Sequence, residues 1–529
     1  MKNIEIPYEK DRNKVYRFFE ILPGALSWFI LALPFVLSFL NAAAAALFVL
    51  LFILVFFTRA MAVTIRALAG YKMMRVHGKL DWVEFVTEIQ NGEVSAANVH
   101  RPKWHYDNLL RLQQRPPIVK PNDIIHAVII ATYNESREVL EPTIQSIVDS
   151  QVDKKKVILL LAYEERGGDR VEAQSKDLIS KYKHHFMYAA AIKHPRDIPG
   201  EVVGKGGNIT YAGRRLQEYV ETKGIDPLRV IVTTLDSDNR PSPKYFPALE
   251  YLFCVVPDPV RASFQPLPMF TSNIWDAPAP MRVIATGNNH FYLVLTQRPH
   301  LQRNFSAHAQ SLRALIDMDF WSVRTIVEDG HQFWRSYFHF DGNYRVYPLA
   351  IPVYCDAVLA ETYLKTLKAQ FIQLRRWTYG ASDVAYIASK GFFHKNNVPL
   401  SDLIPKFLRM LEGHVHWAVG AILLAFAAFI PALLNPESYI ANVLPVTVNR
   451  IQTVGLVGVL ASLFVSLKTL PPRPARYKRH RSIFMVLQWL YLPVTNIAYG
   501  SFAALYSQTR LMLGKYLTKF DVTVKVVKK

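Results

Sequence analysis

Two pairs of apolar runs bracket the longest part of the chain, each run close to the 20 or so residues that an α-helix needs to cross about 30 Å of hydrocarbon. The first pair covers 21–40 and 42–63 and is hinged at Asn41; the second covers 414–434 and 451–470. Between the pairs the hydrophobic segments are short and interrupted, as in a soluble domain. A chain of this pattern can fold only as a water-facing domain tethered to a bilayer at both ends. A cleaved signal peptide is the alternative for the first run. Its length, the second run behind it and the lack of a convincing cleavage site weigh against that.

Charge sets the orientation. Lys2, Lys10, Arg12, Lys14 and Arg17 precede the first span, Arg66, Lys72, Arg75 and Lys79 follow the second, and the link at Asn41 is uncharged. The connection 435–449 carries no Lys or Arg, whereas 471–482 holds Arg473, Arg476, Lys478, Arg479 and Arg481. The positive-inside rule therefore places the N-terminus and the central domain in the cytoplasm, and returns the second hairpin there. The apolar stretch 483–506 contains Pro493, which suits an interfacial or re-entrant helix, and 400–411, with Asp402, Lys406 and Arg409, reads as another interfacial helix. The expectation is a multi-pass protein of the inner (plasma) membrane with four spans and a cytoplasmic catalytic domain.

Hydrophobic residues make up 51% and charged ones 20%, which excludes a disordered chain. The 62 Lys and Arg exceed the 42 Asp and Glu by 20. Membrane flanks account for much of that excess, and no RNP, zinc-finger or helix-turn-helix pattern is present, so no nucleic acid is expected as a partner. The two cysteines, Cys254 and Cys355, rule out a disulfide framework and a Cys-based zinc site and suit a reducing compartment.

The central domain reads as α/β. The runs 126–132 (HAVIIAT), 156–162 (KVILLLA) and 229–235 (RVIVTTL) have buried-strand length, and 139–150 has helical spacing. Such alternation argues for a parallel sheet covered by helices on both faces, with ligands at the carboxyl ends of the strands. Polar clusters follow all three runs: Tyr133-Asn134-Glu135, the turn from Glu164 to Asp169, and Asp236-Ser237-Asp238. A carboxylate pair just past a buried strand is an oxygen-rich site for Mg2+ or Mn2+ bridging two phosphates. Alone, such a pair is as readily a solvated turn.

Its company along the chain changes that reading. Gly204-Lys205-Gly206-Gly207-Asn208 precedes it, Val327-Glu328-Asp329-Gly330 follows, and Gln373-Leu374-Arg375-Arg376-Trp377 comes next. The series resembles the processive, membrane-embedded family 2 glycosyltransferases, the group of cellulose, chitin and hyaluronan synthases. The resemblance runs from Asp123 to Trp377 and extends to the flanking spans. It implies a GT-A (Rossmann-like) domain inserted between N- and C-terminal transmembrane hairpins. It also implies Asp236 and Asp238 on the metal and nucleotide-sugar, Asp329 beside Glu328 as catalytic base, and Gln373, Arg376 and Trp377 at the acceptor end. Where the family has an Asp-rich turn against the nucleotide base, this chain has Tyr163-Glu164-Glu165; where the family has T-E-D, it has Val327-Glu328-Asp329. Thr286-Gly287-Asn288-Asn289 resembles the family's acceptor-side loop. In the tail, Phe520-Asp521-Val522-Thr523-Val524-Lys525 fits the F-x-V-T-x-K gating loop of bacterial cellulose synthase, which implies that Thr523 and Lys525 close over the nucleotide.

Glu135, Glu164, Lys205 and Asn208 complete the expected substrate contacts, the last two on a Gly-rich turn where a solvated loop is the alternative. Glu328 either touches substrate or orients Asp329, and His331 reads as a helix-face residue rather than a ligand. The segments expected are a basic N-terminus (1–20), a transmembrane hairpin (21–66), a linker (67–121), the GT-A domain (122–399), an interfacial helix (400–412), a second hairpin (413–470), a basic loop with an interfacial or re-entrant helix (471–507) and a tail with the gating loop (508–529). The function implied is inverting transfer of a sugar, UDP-linked by the resemblance, from a cytosolic nucleotide-sugar to a growing polysaccharide. Transfer to a lipid-linked acceptor and a catalytically silent export scaffold are the alternatives. A homodimer or an export partner stays open.

Overall fold

The computed structural model describes residues 3–94, 101–519 and 521–527. At its centre lies one sheet of strands β1 (Ile125–Thr132), β2 (Val157–Glu164), β3 (Tyr188–His194), β4 (Val230–Asp236), β5 (Arg240–Pro241), β6 (Ala262–Phe270), β7 (Ala309–Ser311) and β8 (Arg345–Cys355), in the order β3-β2-β1-β4-β7-β6-β8-β5. The half built from β3, β2, β1 and β4 is parallel throughout, with Val128 opposite both Leu159 and Thr233. Its strands are near-continuous apolar runs because both faces are covered. Val128, Ile130, Leu159 and Leu161 enter one core cluster, and the alternate residues Ile129, Leu160 and Val232 enter another across the sheet. Full burial of each such side chain contributes about 1.5–3 kcal/mol. Beyond β4 the sheet turns mixed: β7 runs antiparallel to β4 and β6, and β6 pairs β8 in parallel. The α/β class and the mostly parallel, Rossmann-like sheet are as expected from the sequence.

Long apolar helices flank this domain. Helices α1 (Lys14–Leu40) and α2 (Ala42–His77) meet at Asn41, whose side chain accepts from the amides of Ala43 and Ala44 and so caps the second while the first ends. Helix α3 (Lys205–Thr222) covers the parallel half of the sheet, α4 (Ala279–Thr296) packs between the domain and α2, and α5 (Glu328–His339) and α6 (Tyr363–Thr378) carry the polar motifs. The approach of α2 to α4 requires Gly70, because a Cβ there would lie 2.1 Å from the carbonyl oxygen of Leu293. Helices α7 (Leu400–Phe426) and α8 (Tyr439–Thr469) follow. Val49, Ile53, Val419, Leu423, Leu444, Val448 and Leu505 form one cluster that joins the two ends of the chain.

Among the described residues, four helices are long and apolar enough to cross a membrane: α1, α2, α8 and the run Arg481–Met512. Three match the expected runs; the fourth does not. The 414–434 run lies in the second half of α7 and in the short helix Phe429–Leu434. His414 and His416 dilute its apolar character, Arg409 and Glu412 stand just before it, and the expected interfacial helix 400–411 is the first half of α7. The stretch around Pro493 is helical but bent, with a tight turn at Gln488–Tyr491 and a widened one at Asn496–Ser501.

Candidate active site

A cavity of about 1640 Å³ opens where β1, β2 and β4 end. Every residue singled out above as a catalytic, substrate or metal candidate lines it: Glu135, Glu164, Lys205, Asn208, Asp236, Asp238, Glu328, Asp329, Gln373, Arg376, Trp377, Thr523 and Lys525. These residues come from strand ends, three helices and the tail, so only the fold brings them together.

Asp236 is the last residue of β4, and its carboxylate accepts from Lys205 Nζ at 2.7 Å and from Ser306 Oγ at 2.6 Å. Burial alone would raise its pKa; Lys205 and then Lys525 outweigh burial and hold it well below the usual carboxylate range. Asp238 is buried, takes Lys525 Nζ at 2.5 Å on one oxygen and the Asp356 amide at 2.9 Å on the other. Both lysines are in turn pushed up, because neighbouring carboxylates outweigh their own desolvation. Lys205 also lies 3.9 Å from Glu328.

The Gly-rich segment 204–208 is not the turn expected of it. It is the first turn of α3, with Gly204 as the cap. Glycine is needed at 206 because a Cβ would lie 2.3 Å from the Ser322 carbonyl and 3.2 Å from Glu328 Cβ; this close approach brings Lys205 onto the carboxylates. Asn208 donates to the Ala162 carbonyl at 3.0 Å, tying α3 to the end of β2. Thr286-Gly287-Asn288-Asn289 is likewise no loop: it lies inside α4, where Asn289 Oδ1 accepts from the Phe270 amide and Asn288 lines the cavity.

Glu328 and Asp329 open α5, where the helix N-terminus favours negative charge. Burial raises both pKa values, most clearly that of Glu328, to which the Asp329 charge adds; Lys205 and Arg376 oppose the rise. A carboxylate held in this way is a stronger base than one in water. Gln373, Arg376 and Trp377 share a face of α6 through i, i+3 and i+4 spacing and are all half-buried. The Trp377 ring lies 6.1 Å from that of Phe270, which leaves it a wall of the cavity.

Glu135 accepts from Thr132 Oγ1 and from the amides of Tyr133 and Asn134, and so shapes the turn after β1. Glu164 pairs with His194 at 3.2 Å, and His194 reaches Glu201 at 3.0 Å on its other nitrogen. Desolvation would lower the His194 pKa; the two carboxylates outweigh it and raise the imidazole to about 9. Residues of the tail line the cavity, with Val203 bridging Lys519, Leu359 bridging Lys525, and Arg376 donating to the Asp521 carbonyl at 3.1 Å. Thr523 is buried, and among the described residues its hydroxyl has no partner. Phe520, the first position of the tail motif, lies outside the described residues.

Sequence reasoning missed Ser306, Tyr292 and Asp356. Asp356 follows directly on β8, the position that pointed to Asp236, but β8 is reached only after a long insertion and its preceding run contains two prolines. Burial, then Asp238, raise its carboxyl pKa. No three His, Cys, Asp or Glu side chains among the described residues converge as a complete metal site. Asp236 and Asp238 supply two carboxylates, each already neutralised by an ammonium, a donor set that a diphosphate would complete for Mg2+ or Mn2+.

No family model and no curated protein matches the chain. Among solved structures it is similar to a mannosyltransferase from Pyrobaculum calidifontis in complex with GDP-Man and Mn2+, at 13% identity over 86% of this chain and 100% of that one, with a TM-score of 0.40. It is also similar to residues 1–349 of S. aureus TarS in complex with UDP-GlcNAc, at 10% identity over 74% and 93%, TM-score 0.36. A third is glucosyl-3-phosphoglycerate synthase from Mycobacterium tuberculosis with Mg2+ and UDP, at 16% identity over 57% and 87%, TM-score 0.29. Similarity at this level specifies no residue's role.

Proposed function

We propose that this chain is a membrane-bound, inverting glycosyltransferase that moves a sugar from a nucleotide-sugar to a hydroxyl of a saccharide acceptor. The observation that carries the reading is the convergence of Asp236, Asp238, Asp329, Arg376 and Trp377 on one cavity at the carboxyl ends of the strands. The motif order adds the finer reading, that the acceptor is the end of a growing polysaccharide in the manner of the processive family 2 enzymes.

Asp236 and Asp238 would hold a divalent cation, which neutralises charge on the departing diphosphate. Lys205 and Arg376, set among carboxylates, supply further positive charge, and the Arg376 fork suits phosphate oxygens. Asp329 takes the proton of the acceptor hydroxyl as that oxygen attacks the anomeric carbon from the face opposite the leaving group. Glu328, pushed towards its neutral form, keeps a second negative charge from competing for that proton. One displacement inverts the anomeric centre. Trp377 offers a flat apolar wall to a sugar ring. Release of nucleoside diphosphate from a panel of nucleotide-sugars, by membranes carrying the chain or its D329N variant, tests the reading. Turnover by the wild type and none by D329N is expected; undiminished turnover by D329N removes Asp329 from its role.

A further inference from the structure

The same cavity carries a second charged feature that the transfer chemistry does not use. Arg59 and Arg66 on α2, Arg298 and Arg303 on the segment after α4, and Arg409 on α7 all line it. Arg59 pairs with Glu412, whereas among the described residues Arg66, Arg298 and Arg409 make no ion pair. The charged groups acting on Arg298 are Arg409, Arg66 and Arg59, all cations; with burial they lower its pKa. Burial, then Arg298, Arg409, Lys406 and Arg66, lower the His300 pKa. Arg303 sits 4.8 Å over the Trp334 ring, with Asp383 the one carboxylate acting on it.

Like charges on one wall of a cavity repel, and among the described residues Arg66, Arg298 and Arg409 have no carboxylate paired with them, Glu412 being taken by Arg59. An anion with several acceptor oxygens relieves this, and guanidinium forks match phosphate geometry. Two features point to a lipid as its bearer. Arg59 and Arg66 lie on a candidate membrane helix, and the exposed apolar side chains Val63 and Phe291 stand beside cavity-lining positions at this end. The segment from Arg298 to Ser306 then leads directly to the catalytic end, since Ser306 bonds Asp236.

We infer that the arginine cluster formed by Arg66, Arg298 and Arg409 binds the phosphate or diphosphate of a lipid-borne saccharide acceptor, holding the sugar towards Asp329. This rests on the transferase reading and specifies its acceptor.

The test is binding of farnesyl diphosphate to the detergent-solubilised full chain, saturated with nucleoside diphosphate to fill the donor site, with farnesol, inorganic diphosphate and phosphatidylglycerol as comparison probes. Farnesyl diphosphate is expected to bind at least tenfold more tightly than each comparison probe, and R298Q/R409Q to lose at least tenfold while nucleotide binding stays unchanged. R298K/R409K restores part of the affinity if charge is what counts, and R66Q reads the same effect should the double variant fail to fold. Equal binding of farnesyl diphosphate by wild type and R298Q/R409Q overturns the inference. So does farnesol or inorganic diphosphate matching it, which would mean a tail site or a free-phosphate site, or phosphatidylglycerol matching it, which would mean a general headgroup surface. Absence of nucleotide binding by the wild type overturns the transferase reading as well, whereas intact nucleotide binding with equal prenyl diphosphate binding overturns the acceptor assignment alone.

Discussion

The two ends of the cavity are built on opposite electrostatic plans. At the strand ends three carboxylates have a cation of their own: Asp236 has Lys205, Asp238 has Lys525, and Glu164 has His194. At the end near α2 and α7, Arg66, Arg298 and Arg409 have no carboxylate paired with them among the described residues. A paired end is quiet until a ligand displaces one of its cations, and an unpaired end stays under repulsion until a ligand arrives. The first plan suits a donor that brings its own metal and phosphates, the second an acceptor that brings only negative charge.

Experiments at the paired end should separate chemistry from binding. The largest effect is expected for Asp329→Asn, which removes the proposed base and should lower transfer by about 10²–10⁴-fold with nucleotide affinity retained, as read by single-turnover kinetics beside calorimetry. Asp238→Asn should cost roughly 10–100-fold in divalent cation affinity; titration of Mn2+ by electron paramagnetic resonance reads this, and an unchanged isotherm would remove Asp238 from the metal site. Trp377→Ala should raise the acceptor KM about tenfold, or ~1.4 kcal/mol, and leave the donor KM where it was.

Two smaller effects sharpen the idea that the paired end is held closed by its own cations. Lys525→Gln frees one oxygen of Asp238, so cation affinity without nucleotide should rise on the order of fivefold, about 1 kcal/mol. A fall instead would show that Lys525 organises the site rather than occupying it. His194 gives a stability signature. Its folded pKa of about 9 lies above the ordinary 6.5, so its pairing with Glu164 and Glu201 stabilises the fold fully below pH 6.5 and is lost as pH rises through 9. The melting temperature should decline across that window in the wild type, and His194→Gln should flatten the decline.

Much of this was legible in the linear order. The strands β1, β2 and β4 announced themselves as apolar runs, because a strand covered on both faces has no polar alternation to hide it. The carboxylates after them were legible for the same reason: a polar cluster that ends a buried run marks a strand end. Where local pattern and local structure parted, packing was the cause. Residues 204–208 and 286–289 look like glycine turns, yet both are helical, because Gly206 serves a close approach to Ser322 and residues 286–289 lie inside α4. The 414–434 run reads as one apolar segment, and the fold divides it between the second half of a longer, more polar helix and the short helix Phe429–Leu434.

By itself the sequence determined the elements with a strong period, the apolar helices at both ends, and the identity of the acidic and Q-x-x-R-W residues, since each of these is written in neighbouring positions. Only the tertiary structure decided that Lys525 meets Asp238, that Asp356 and Ser306 complete the carboxylate cluster, and that Arg66, Arg298 and Arg409, with no ion pair among the described residues, line one cavity. Those facts depend on which distant segments approach each other. That approach is set by the summed burial of many side chains, and no local pattern around any one of these residues records it.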